Sequence, residues 1–242
     1  AVYRIRPRFS AFGSFSNAFT RAPILAQTPA GNGPHDPETS RQVEGGVKAE
    51  LSQGRVLLTG TLFQIRKNNA FRLDPNFGPR GDNFAAVLPI GRVRNQGLEL
   101  DMTGRLTSNL SVIVNYSFLD SEILADRIAP NTVGGPMPNA PRHAFGLFGR
   151  YEITRTGTTF SVGQESRGRR FEPYAGIQAA GYGLWDFGLF QRVHKLVELR
   201  VQLENAFDRE YATASLFAAR AGNWPGAPRT FTVGLRFARL NR

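Results

Sequence analysis

Ten stretches of this chain alternate apolar and polar residues with period two, and the connections between them alternate long and short. Period two places successive side chains on opposite faces of a strand, so each stretch predicts a strand with one greasy and one wet face. The pattern is plainest near the C-terminus. Val197, Leu199, Val201 and Leu203 alternate with Glu198, Arg200, Gln202 and Glu204, and Phe231, Val233, Leu235 and Phe237 alternate with Thr232, Gly234 and Arg236. Earlier candidates fall at about 4–18, 40–52, 55–67, 91–103, 109–120, 141–154, 157–168 and 181–193. In the third, LLTGTLFQI leaves the apolar face ambiguous. In the fifth, Leu110, Val112, Val114, Tyr116 and Phe118 share one face, while Ile113 and Leu119 interrupt the polarity of the other.

Long connections at 19–39, 68–90, 121–140, 167–180 and 206–227 alternate with short ones at Gln53–Gly54, Gly104–Ser108, Arg155–Gly157 and His194–Lys195. Long and short loops therefore gather at opposite ends of the sheet. Greek-key sandwiches have no reason to sort loops this way. Outer-membrane barrels do, with short periplasmic turns and long extracellular loops. In lipid every backbone N–H and C=O must be paired internally, so a spanning sheet closes on itself. Strands of about 9–11 residues are long enough to cross when tilted. Tyr116, Phe118, Tyr151 and Trp185 near strand ends fit interfacial girdles, and each taken singly fits ordinary packing on a sheet surface. The expected fold is all-β: an antiparallel transmembrane barrel segment with long extracellular loops.

The totals exclude little else. Thirty Lys and Arg against 19 Asp and Glu give a net charge of +11, but no block of five or six like charges occurs. A nucleic-acid partner is not expected, because aromatics and cations do not interleave on one face. Cys is absent, which removes disulfides and thiolate metal sites. No run of 18 apolar residues supports a spanning helix. The chain opens Ala-Val-Tyr-Arg inside a strand candidate, with no signal-peptide pattern, and so reads as a processed product or a piece of something longer.

Two C-terminal elements, LENAFDREYATA and WPGAPRTFTVGLRF, resemble the end of a TonB-dependent outer-membrane receptor. The pairing is an Asn-x-Phe-Asp-x-x-Tyr element followed about 20 residues later by Gly-x-Pro-Arg and a final amphipathic strand. PETSRQVEGGVKAEL, GTLFQIRKNN and NQGLELDMTGRLTSNLSVIVNYSFLDSEI follow the order seen in ferric-siderophore receptors, so the resemblance covers about 3–238. It implies that residues 1–242 are the C-terminal part of a 22-stranded barrel, about ten strands of it. The plug domain, the N-terminal TonB box and the first barrel strands would lie outside. The family usually ends on an aromatic residue, whereas here Phe237 is followed by Ala-Arg-Leu-Asn-Arg.

The resemblance further implies TonB-energised uptake of a ferric siderophore, with no catalytic residues, no resident cofactor and no protein-bound metal. Implied partners are outer-membrane lipid and lipopolysaccharide, the plug, the missing strands and TonB. The ligand would be met by cations and aromatics on the long loops. Arg167, Arg169, Arg170, Phe171, Tyr174, Arg220 and Trp224 lead, with Arg72, Arg80 and Phe217 behind them. A guanidinium can grip carboxylate or phosphate with two parallel bonds, though each of these arginines taken singly reads first as a solvated loop charge or a contact to lipopolysaccharide phosphate. Alternatives are a receptor for cobalamin, haem or a carbohydrate, and a free-standing ten-stranded porin, adhesin or protease. For a protease, Asp120 and Asp126 would pair with His143, though no spacing supports it. His35, His143 and His194 fall at separate places and are not expected to share a metal.

Overall fold

A computed structural model describes residues 1–21, 36–73, 87–127, 129–172, 176–216 and 222–237. Eleven strands form one antiparallel sheet in which each long strand pairs with its neighbour in sequence. They are β1 (Val2–Arg6), β2 (Phe9–Thr20), β3 (Glu38–Leu51), β4 (Val56–Leu73), β5 (Val87–Arg105), β6 (Leu110–Ala125), β7 (His143–Ile153), β8 (Thr158–Arg167), β11 (Tyr182–His194), β12 (Val197–Glu204) and β15 (Thr230–Phe237). Two small hairpins lie in the long connections: β9 (Arg170–Glu172) with β10 (Ile177–Ala179), and β13 (Ala212–Leu216) with β14 (Gly222–Pro225). All ten expected strands are present. The first is two strands, because Pro7 has no N–H for a ladder and the chain turns at Pro7–Arg8.

The segregation of loops holds. At one end the described turns are short: residues 52–55, 106–109, 154–157 and 195–196. Gly157, at φ 65°, supplies the left-handed residue that closes one of them. The strand ends that flank the long connections, and both small hairpins, lie at the other end.

Register sorts the faces. Leu62, Leu98 and Phe118 align across β4, β5 and β6, and Leu58, Met102, Val114 and Leu147 align below them. Tyr151, Phe160, Leu189, Val201 and Val233 make another row across β7, β8, β11, β12 and β15. Among the described residues no protein layer covers this face: Leu62 is 65% exposed and Val233 57%, as are Phe231 (66%) and Leu235 (58%) on either side of it along β15. The ambiguous segment resolves with Leu58 and Leu62 on this apolar face and Leu57, Thr59, Thr61 and Phe63 on the other. From Leu110 to Phe118 the band runs about 27 Å along the strand, or about 21 Å at a tilt near 40°, close to the height of a lipid-facing belt.

The opposite face carries Glu44, Lys48, Glu99, Asp101, Asn115, Glu165, Arg167, Glu198 and Arg200. Ion pairs join Arg167 to Glu165 at 2.9 Å and Arg200 to Glu198 at 2.8 Å. Ile113, which interrupts the polar pattern of β6, lies opposite Phe148, so the two form an apolar patch within this wet wall. A small buried cluster of Ala70, Ile90, Val93 and Ile123, with Met137 against it, sits at the loop end where β4 and β5 rise above the band.

Candidate functional site at the loop end

The last long connection is built on the Asn-x-Phe-Asp-x-x-Tyr and Gly-x-Pro-Arg elements. Asn205 takes a left-handed conformation at the end of β12 (φ 46°), which Asn tolerates better than most residues. Its buried amide donates to the carbonyls of Arg209 (3.0 Å) and Ala227 (3.1 Å), and its oxygen accepts the Arg209 N–H at 2.8 Å. Asp208 accepts the Arg229 N–H at 3.0 Å. Tyr211 lies over Gly226, and its ring fills the space that a Cβ there would need. Asn205, Asp208 and Tyr211 thus tie one side of the loop base to Ala227, Arg229 and Gly226 on the other.

Above that base the long loops hold one another. Arg170 is only 4% exposed, and its two terminal nitrogens donate to the carbonyls of Ala212 and Thr213. Its guanidinium lies 5.3 Å from the centre of the Tyr182 ring, and Tyr182 packs against Tyr211 at 4.6 Å. The Asn139 N–H donates to the Phe171 carbonyl at 3.1 Å, which adds the 126–142 connection to the same body.

The three clustered arginines therefore part company. Arg170 is a buried fork between two hairpins and presents no free nitrogen fork to a ligand. Arg167 is held by Glu165 on the wet wall. Arg169 is exposed. Phe171 is half-buried on β9 and Trp224 is 60% exposed on β14. Tyr174, Arg220, Phe217, Arg80 and His35 lie outside the described residues, as does the side chain of Arg72. A groove of about 670 Å³ at the foot of the last loop is lined by Gly181, Asp208, Glu210, Tyr211, Asn223 and Pro228 among others. Sequence reasoning missed the anchoring role of Arg170, whose partners are backbone carbonyls with no side-chain signature. The clasp residues were visible as a motif without a stated purpose.

The protease constellation does not assemble. Asp120 accepts from Gln96 at 3.0 Å on the apolar side's upper margin. Asp126 is buried under its own loop, accepting from the Ala129 N–H at 2.8 Å. His143 meets Tyr116 at 2.9 Å and lies tilted against the Phe118 ring at 5.3 Å.

Lipid-facing strands, sorted loops and a latched loop rim describe part of the wall of an outer-membrane barrel. The chain belongs to the family described as TonB dependent receptor-like, beta-barrel, whose family model matches residues 1–206. Members of this family are outer-membrane proteins. The chain is 28% identical over 241 residues to the metal-pseudopaline receptor CntO of Pseudomonas aeruginosa, covering 97% of this chain and 32% of that protein. It is 27% identical over 220 residues to the catecholate siderophore receptor Fiu of Escherichia coli, covering 86% and 27%. The crystal structure of the siderophore receptor PiuA from Acinetobacter baumannii has the same fold, with a TM-score of 0.82 at 21% identity over 98% of this chain and 34% of that one. The chain thus spans about a third of the length of the curated relatives it matches.

Proposed function

We propose that this chain is the C-terminal part of the barrel of a receptor that carries ferric siderophores through the outer membrane with energy relayed by TonB. The observation that carries the reading is the likeness, over nearly the whole chain, to receptors whose names specify siderophore or metallophore cargo. The latched loop rim supports it, because a large soluble chelate must be caught on the outer side. Arg169, Phe171 and Trp224 are the described residues best placed to meet it, and Tyr174 and Arg220 complete the proposed set. Capture and passage break no covalent bond, so no residue here is assigned a catalytic role. The wet wall, with Glu44, Glu99, Asp101 and the Ile113–Phe148 patch, would face a plug domain supplied by the rest of the receptor.

The test is uptake of radiolabelled iron by cells that express the full-length receptor as their sole siderophore receptor, given a panel of ferric siderophores. Uptake of at least one complex, lost when TonB is deleted, is expected. No uptake across hydroxamate, catecholate and mixed complexes overturns the reading. The likeness to CntO favours a second reading, in which the cargo is a metallophore holding another metal. Zinc and nickel complexes in the same panel separate the two.

A further inference from the structure

On the lipid face a groove of about 450 Å³ opens where two rows run side by side across β7, β8, β11, β12 and β15. The upper row is Gly149–Val162–Phe187–Leu203–Phe231, and the one nearer the short turns is Tyr151–Phe160–Leu189–Val201–Val233. Gly149 gives the floor bare backbone, and Val162 leans on it, 3.1 Å from where a Cβ would stand. Beside that floor rise the rings of Tyr151 and Phe160, each 47% exposed, and of Phe187, 43% exposed. On this face the walls are hydrocarbon apart from the Tyr151 hydroxyl.

The next row toward the short turns, Ile153–Thr158–Gln191, brings in polar atoms. The Thr158 hydroxyl donates to the Gln191 amide oxygen at 2.6 Å and lies 2.6 Å from the Thr156 hydroxyl. The Gln191 amide donates to the Thr156 carbonyl at 2.8 Å, and the Arg192 N–H donates to the Gly157 carbonyl at 2.9 Å. These bonds hold the 154–157 turn against β11. Arg155 stands in that turn, and Lys195 stands in the next turn at the same end. Both are exposed, and among the described residues neither has a carboxylate within ion-pair distance. The acids nearest to them in sequence, Glu152 and Glu198, lie on the wet wall and are held by Arg150 and Arg200. From Tyr151 to the turn is about 13 Å along the strand, or about 10 Å at a tilt near 40°. An interfacial layer is about 5–8 Å deep, so the groove starts just inside hydrocarbon when the two cations lie at phosphate level.

We infer that this groove and the two turn cations form a binding site for one anionic glycerophospholipid of the inner leaflet. Its phosphate would lie between Arg155 and Lys195, and one acyl chain would lie in the groove over Gly149. The occupant follows from continuity, since the groove belongs to the face that meets lipid and short turns mark the periplasmic end. Charge selects the headgroup. Two cations with no acid beside them attract a net negative lipid and repel the ammonium of a zwitterionic one. Because the 154–157 turn is already pinned to β11, holding Arg155 in place adds little ordering cost. The assignment rests on the wall meeting lipid and is independent of the cargo.

The test uses the full-length receptor in nanodiscs that hold equal amounts of phosphatidylglycerol and phosphatidylcholine with identical acyl chains. Lipid retained on release from the disc is counted by native mass spectrometry. Phosphatidylglycerol should be retained about thirty-fold over phosphatidylcholine, as two interfacial cations would give. Arg155→Gln with Lys195→Gln should bring that ratio close to one, and the exchange Arg155→Lys with Lys195→Arg should preserve it. Gly149→Leu fills the groove and should lower retention of both lipids several-fold with their ratio unchanged. Equal retention of the two lipids by the unaltered receptor overturns the site, an arm that needs no variant to fold. An undiminished ratio in a folded double Gln variant overturns it too, and undiminished retention by Gly149→Leu removes the groove from it. Full displacement by millimolar glycerol phosphate also overturns it, by assigning the cations to free anion. Siderophore binding on the same samples should not move, so failure here is distinct from failure of the transport reading.

Discussion

Asp208 and Arg229 close the foot of the last long loop: one Asp208 oxygen accepts the Arg229 N–H at 3.0 Å, and the other lies 3.7 Å from its guanidinium. Both side chains are about half exposed, so the ion pair itself contributes little and the backbone bond most. Asp208→Ala should loosen the 205–229 loop by about 1 kcal/mol, seen as roughly five-fold faster proteolysis there in the full-length receptor. Asp208→Asn keeps an accepting oxygen and should behave nearly as the unaltered protein. Equal proteolysis of the Ala variant would show that the clasp is dispensable.

Arg170 should couple two loops. Replacing it with Ala leaves the Ala212 and Thr213 carbonyls without their donor, a loss of about 2–4 kcal/mol of local stability. Arg170→Lys should rescue little, because an ammonium cannot fork to two carbonyls. Amide exchange is then expected to rise together in 168–181 and 205–216. A rise confined to the first segment would mean that the hairpins are independent.

Gly226→Ala should displace the Tyr211 ring and with it the contact to Tyr182. Overpacking at such a site costs about 1–3 kcal/mol. Combining it with Tyr211→Ala should recover most of the loss, so a double-mutant cycle that shows simple additivity would remove the predicted contact.

Residues on the two faces of β12 should respond differently to charge. Leu199→Arg places a cation on the lipid side and should destabilise the full barrel in bilayers by about 2–4 kcal/mol. Gln202→Arg, on the wet wall, should change stability by less than about 1 kcal/mol. Reversible folding into lipid vesicles measures both, and equal effects would contradict the assignment of faces.

The sheet was legible in the sequence because its outside is greasy and its inside wet, so period two survived in almost every strand. It faded where another requirement took over. Asn68 and Asn69 read as loop by composition, yet they continue β4, since a strand above the membrane can be polar on both faces. Ile113 broke the pattern because Phe148 waits opposite on the wet wall. The short β1 was absorbed into its neighbour, although Pro7 marked the turn. The loop-end site was far less legible. The partners of Arg170 lie 42 and 43 residues away and are main-chain atoms, which leave no trace in residue identity. The groove over Gly149 appeared only once register brought five separate strands level.

The contacts of Arg170, Tyr182 and Asn139 have a consequence for how such a protein can change. Loops that grip one another are inherited as a set. A graft of one foreign loop would arrive without its counterparts and leave a buried guanidinium or a bare carbonyl behind. Exchange of all three connections, 126–142, 168–181 and 205–229, is the smallest transplant that keeps the rim intact.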